Sequence, residues 1–94
     1  MDFSFQTDHD QQIDLEDEVE LQHKLILHND NHNTFEWVIE TLVDVCKHNP
    51  VQAEQCSLLI HNKGKYAVQH GPFETLKQMK DAITERGINA TIEQ

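Results

Sequence analysis

The sequence predicts an α+β domain: a small three-stranded antiparallel sheet with three helices packed on one face, in the order βααβαβ. Three observations carry that expectation. Short apolar runs bounded by turn-forming residues occur at 23–29, 65–70 and 88–93. Between them, apolar residues recur at helical spacing in three segments. The chain has 94 residues, of which 37% are hydrophobic, so it has room for one core and little more.

Residues 1–22 read as a flexible acidic extension ahead of a folded body at 23–94. Residues 1–20 hold eight acids and neither Lys nor Arg, whereas the rest holds nine acids against seven bases. The net charge of −10 therefore belongs mostly to that segment. So little apolar surface cannot offset the entropy of ordering it.

"HKLILHN", residues 23–29, is the first expected strand. Asn33 is the expected N-cap of the first helix, with Glu36 three residues on completing a capping box, and Thr34 is the alternative cap. Phe35, Val38, Ile39, Leu42, Val43 and Cys46 then mark an amphipathic helix over 34–48. "HNP", 48–50, ends it, because the residue before a proline avoids the α region. Pro50 suits the first turn of a second helix reaching about Asn62, with Ala53, Cys56, Leu59 and Ile60 turned inward. Gly64 is the expected left-handed cap. "KYAVQH", 65–70, is the second strand, ended by "GP". Phe73, Leu76, Met79 (or the stem of Lys80) and Ile83 mark a third helix, closed by Arg86 and Gly87. "INATIE", 88–93, alternates as a last strand should.

Composition narrows the function. Seven scattered bases form no stripe for phosphates, so nucleic acid is not an expected partner. No apolar run reaches the length of a membrane span, and the N-terminus lacks a basic-then-apolar signal pattern. Cys46 and Cys56, on helices and without CxxC spacing, read as unpaired buried or half-buried thiols of a cytoplasmic protein. Neither has a histidine and carboxylate spaced for a triad, and Ser57 has no nucleophile-elbow context, so no enzyme is expected. His28, His32, His48 and His61 with Asp30 fit no structural zinc spacing, so no metal or other cofactor is expected. Trp37 and Tyr66 read as half-buried packing residues. A monomer is the default.

The cluster Asn29, Asp30, Asn31, His32, Asn33 is richer in short polar side chains than a turn requires. Its plain reading is a solvated loop with Asx turns and a helix cap. A second reading comes from resemblance. "LILHND" followed by the capped helix "TFEWVIE" resembles the strand–"ND"–helix element of the ClpS adaptor family. "LLIHNKGK", 58–65, is similar to that family's apolar–His–x–x–Gly–Lys stretch, and "GPFETLKQMKDAI" looks, more weakly, like its third helix. The resemblance spans about residues 23–93.

It implies an adaptor without catalysis of its own, which binds destabilising N-terminal residues of substrates and delivers them to a Clp AAA+ unfoldase. The side chains bound are large and apolar: Leu, Phe, Tyr and Trp. By this resemblance Asn29, Asp30 and His61 match the contacts to the substrate's α-amino group. Leu27, Phe35, Val38, Ser57 and Ile60 match the lining of the side-chain pocket. Phe35 stands where many relatives have methionine, Ser57 replaces a larger apolar residue, and Asn31 replaces a frequent second aspartate. His32 and Glu74 match positions that dock on the unfoldase's N-terminal domain, whereas the basic docking residue has no match beyond Met79 with Lys80 beside it. The acidic extension corresponds to a segment that the unfoldase engages during delivery. The alternative reading is a protein-interaction module like the C-terminal domain of the ribosomal stalk protein. That domain shares the architecture and lacks an amine pocket. A small histidine-rich metal-binding protein stands third.

Overall fold

β1 (Gln22–His28) forms the middle of a three-stranded antiparallel sheet, flanked by β2 (Lys65–Pro72) and β3 (Ala90–Glu93). The computed structural model describes residues 22–94, so all of the acidic extension except Gln22 lies outside the described residues. Helices α1 (Phe35–Cys46), α2 (Pro50–Lys63) and α3 (Phe73–Glu85) complete the order βααβαβ of an α+β fold. Leu25 and Leu27, two apart on the central strand, are fully buried and meet Leu42 and Cys46 of α1, Ala53, Cys56 and Ile60 of α2, and Leu76 and Ile83 of α3. Each such leucine contributes roughly 1.5–3 kcal/mol by leaving water. Ile26 alternates to the other face, between Ala67 and Thr91.

Several boundaries differ from the sequence reading, each for a visible reason. β1 starts at Gln22, which pairs with Pro72, so β2 runs two residues past His70. Proline is tolerated there because β2 is an edge strand. A bulge lies opposite Leu25 and Ile26, whose partners are Gln69 and Ala67, which leaves Val68 as the inserted residue. β3 begins at Ala90. Ile88, 3% exposed, instead closes the turn after α3 and belongs to the core. α1 ends at Cys46 because Lys47 turns left-handed (φ 62°) and returns its N–H to the carbonyl of Leu42. His48 is thereby buried, with Nε2 3.3 Å from Oε1 of Gln69. On α2 Ser57 is buried and Leu59 half-buried, the reverse of the expected weighting, and Phe73 of α3 is exposed. Pro50 and Gly64 (φ 88°) hold their expected places in the first turn and at the C-cap of α2.

The N-cap of α1 is Thr34, whose Oγ1 accepts from the N–H of Trp37 at 3.0 Å. Asn33 is occupied elsewhere in the loop and Glu36 is exposed, so no capping box forms around Asn33. Thr34→Ala is expected to cost about 1 kcal/mol, measured by chemical denaturation. A cost no greater than that of Glu36→Ala would show that the cap is not an energetic feature.

Trp37 is half-buried as expected and bonds a residue 49 positions further along the chain. Its Nε1 donates to the carbonyl of Arg86 at 3.0 Å, and the Arg86 guanidinium lies 5.3 Å from the centre of its rings. Arg86 also donates to Thr41 Oγ1 and Asp44 Oδ2. Thr41, which helical spacing did not mark as core, is fully buried.

Candidate functional site

Between the end of β1, the start of α1 and the second half of α2 lies an open cleft of about 570 Å3. Its rim is polar: Asn29, Asp30, Asn31, Asn33 and, from α2, His61. Its walls carry Phe35 and Val38 of α1 and Ser57, Leu58 and Ile60 of α2. A small adjoining cavity of about 20 Å3 shares Asn29, Asp30, Asn33, Val38 and Ile60 and adds Leu27, His28 and Ile88.

Local chemistry explains why these groups meet. The strand ends at His28, and the Asn29 N–H donates to the carbonyl of Gly64 at 2.8 Å. That bond ties the start of the loop to the cap of α2, three residues after His61. The His28 N–H donates to the carbonyl of Asn89, and its ring Nε2 is 2.8 Å from Thr91 Oγ1, so the strand end is held from β3 as well.

Asp30 organises the loop itself. Its Oδ1 accepts from the backbone N–H groups of His32 and Asn33, each at 2.9 Å, and its Oδ2 accepts from the side-chain amide of Asn33 at 2.8 Å. The same amide nitrogen donates to the carbonyl of Gly87 at 3.0 Å. The backbone bond from Asn33 lowers the Asp30 pKa below its ordinary value; partial burial opposes this, and the remaining hydrogen bonds and His32 reinforce it. Asp30 is thus an ionised carboxylate at neutral pH, and it is the one carboxylate lining the cleft. A cation with several N–H donors suits that rim, and an apolar side chain suits the walls.

Of the residues that the sequence placed at the substrate site, the cleft brings together Asn29, Asp30, His61, Phe35, Val38, Ser57 and Ile60. Leu27 lies beneath, in the adjoining cavity. The two residues assigned to docking lie outside the lining: His32 is exposed in the loop and Glu74 is exposed in the first turn of α3. Sequence reading missed Ile88, which patterning placed in a strand, and Asn33, which looked like a cap and braces Asp30 instead.

Other chemistry is poorly served here. Among the described residues, no three His, Cys, Asp or Glu side chains gather as a metal site. Cys46 and Cys56 are free and buried, and burial raises both thiols, Cys46 to about 11 with Cys56 nearby as a lesser cause. They stay protonated at neutral pH and are poor nucleophiles. No described helix is long and apolar enough to cross a membrane.

Comparison with known proteins agrees with this architecture. The family model described as "ATP-dependent Clp protease adaptor protein ClpS" matches residues 18–91. The ATP-dependent Clp protease adapter protein ClpS of Nitratidesulfovibrio vulgaris (strain DSM 19637 / Miyazaki F) is 35% identical over 57 residues, covering 58% of this chain and 57% of that protein. The ClpS of strain DP4 is 36% identical over 58 residues, covering 60% and 56%. The match thus spans somewhat over half the length of these relatives. Among solved structures, Agrobacterium tumefaciens ClpS2 bound to L-phenylalaninamide superposes with a TM-score of 0.71 at 20% identity, covering 77% of this chain and 94% of that one. At that identity the likeness is one of fold. The match over residues 18–91 decides membership: the chain belongs to the ClpS family of ATP-dependent Clp protease adaptors.

Proposed function

We propose that the cleft captures the first residue of substrate proteins, with the α-amino group at Asn29, Asp30 and His61 and a large apolar or aromatic side chain against Phe35, Val38 and Ile60. One observation carries this reading. An ionised carboxylate stands at the rim of a cleft whose walls are otherwise mainly apolar. That pairing of one anionic acceptor with one greasy recess fits an N-terminal residue better than an internal one, which has no cation next to its side chain. The related ClpS2 was solved with L-phenylalaninamide, a free amine beside an aromatic side chain, which supports the same mode here. In this reading bound substrates pass to the N-terminal domain of a Clp AAA+ unfoldase, with His32 and Glu74 on the docking surface.

Fluorescence anisotropy with peptides that differ only at the first residue tests the capture step. Leu and Phe are expected to bind, whereas Val and N-acetyl-Leu bind at least tenfold more weakly, because acetylation removes both the charge and two donors. Equal binding of free and acetylated Leu would reduce the loop to a turn and a helix cap, and the family likeness to one of fold.

A further inference from the structure

One polar group in the cleft wall has no use in the fold. Ser57, on the buried side of α2, is 3% exposed, and its Oγ has no hydrogen-bond partner. A serine within a helix ordinarily faces water or bonds the carbonyl of the preceding turn, and Ser57 does neither. A buried hydroxyl left unpaired is a standing cost to the folded state. Alanine would avoid that cost and is the better helix former. The other unpartnered buried side-chain atom among the described residues, Nδ1 of His48, lines no part of the cleft. Ser57 does line it, beside Phe35 and Ile60.

We infer that Ser57 is a specificity residue: its hydroxyl selects, among large first residues, those with an aromatic body and a hydrogen-bonding tip, tyrosine ahead of phenylalanine. This rests on the amine-capture reading, because the amine held at the Asp30 rim is what sends the side chain toward α2. A phenol both donates and accepts, so it satisfies a serine hydroxyl whichever way the hydrogen turns. Phenylalanine and leucine leave that hydroxyl unpaired, and discrimination comes from the group left unsatisfied as much as from the bond formed. In the empty cleft Oγ is covered, so a ring must open the wall to reach it. Phe35, half-buried at the start of α1, lines the same cleft.

The test is anisotropy on the full chain with matched peptides beginning Tyr, Phe and N-acetyl-Tyr, for the natural protein and for Ser57→Ala, with a thermal melt to verify that the variant is folded. The natural chain is expected to bind Tyr about tenfold more tightly than Phe, the scale of one well-made hydrogen bond plus the relief of an unpaired group. In Ser57→Ala that ratio should fall to about one. A ratio near one in the natural chain, which needs no variant to measure, overturns the inference, as does a ratio that Ser57→Ala leaves unchanged. If Tyr and Phe both outbind N-acetyl-Tyr but not each other, selection by Ser57 fails while amine capture stands. If neither outbinds N-acetyl-Tyr, amine capture itself fails.

Discussion

Asp30→Asn is expected to weaken binding of a free N-terminal peptide by about tenfold or more while leaving the protein folded. A hydrogen bond to a charged group contributes about 1.5–3 kcal/mol, and 1.4 kcal/mol is a factor of ten. The asparagine variant removes the charge together with the Oδ2 acceptor of the Asn33 side-chain amide. Its one carbonyl oxygen can still accept from the N–H groups of His32 and Asn33, the two bonds that shape the loop. Asp30→Ala would leave three donors without an acceptor and loosen the loop as well, so its effect on binding would be larger and harder to interpret. Asn31→Ala is the comparison, because Asn31 is exposed on the same rim and carries no charge. Equal losses from Asp30→Asn and Asn31→Ala would remove Asp30 from the amine site.

The same carboxylate sets a pH window. Its pKa is lowered from the ordinary 3.8 in the folded chain, so its contribution to stability is full above 3.8 and is lost as pH falls through the lower folded value. Peptide affinity should follow it on the acid side. On the alkaline side affinity should decline as the ligand's own α-amino group loses its proton near pH 7.7–8.0. Affinity measured from well below pH 3.8 up to pH 9 with one Leu peptide checks both limbs. Binding that persists undiminished at pH 9 would mean that the ligand's charge is not recognised.

Leu27→Ala should have the largest effect on stability. Leu27 is fully buried on the central strand, paired with Tyr66 on one side and Ala90 on the other, and it lines the cavity beneath the cleft. Truncation enlarges that cavity and removes contacts with all three helices' shared core, at a cost of about 2–5 kcal/mol. A domain of this size has about 5–15 kcal/mol in all, and each kcal/mol lowers its melting temperature by roughly 4–8 °C. The expected drop, followed by circular dichroism, is thus about 8 °C or more. A drop of only a few degrees would mean that the cavity's walls collapse onto the gap, and that Leu27 is not a keystone between sheet and cleft.

Much of this architecture was legible because it rests on local chemistry. Short apolar runs bounded by turn-formers, alternation in the last strand and helical spacing marked all six elements, and Pro50 and Gly64 act through their own backbone preferences. What escaped depends on partners far along the chain. Asn33 and Thr34 are both good caps, and the choice between them follows from Asn33 reaching the carbonyl of Gly87, 54 residues away. Gln22 is a strand residue only because Pro72 lies opposite it. Ile88 fits a strand pattern, yet it belongs to the turn that seals the cavity under the cleft. At the site, a resemblance of short motifs named seven residues that line one cleft. No spacing rule, however, would say that Asp30 shapes its own loop or that Ser57 keeps an unpaired hydroxyl.

The cleft and its underlying cavity draw on Leu27, the loop to Val38, the end of α2 and finally Ile88. Emerging from a ribosome, the chain would present the rim and most of the walls well before residue 88, with the central strand still lacking β3. No partial product can therefore hold the finished recess. The lining of the underlying cavity is complete only once Ile88 has joined Leu27 there.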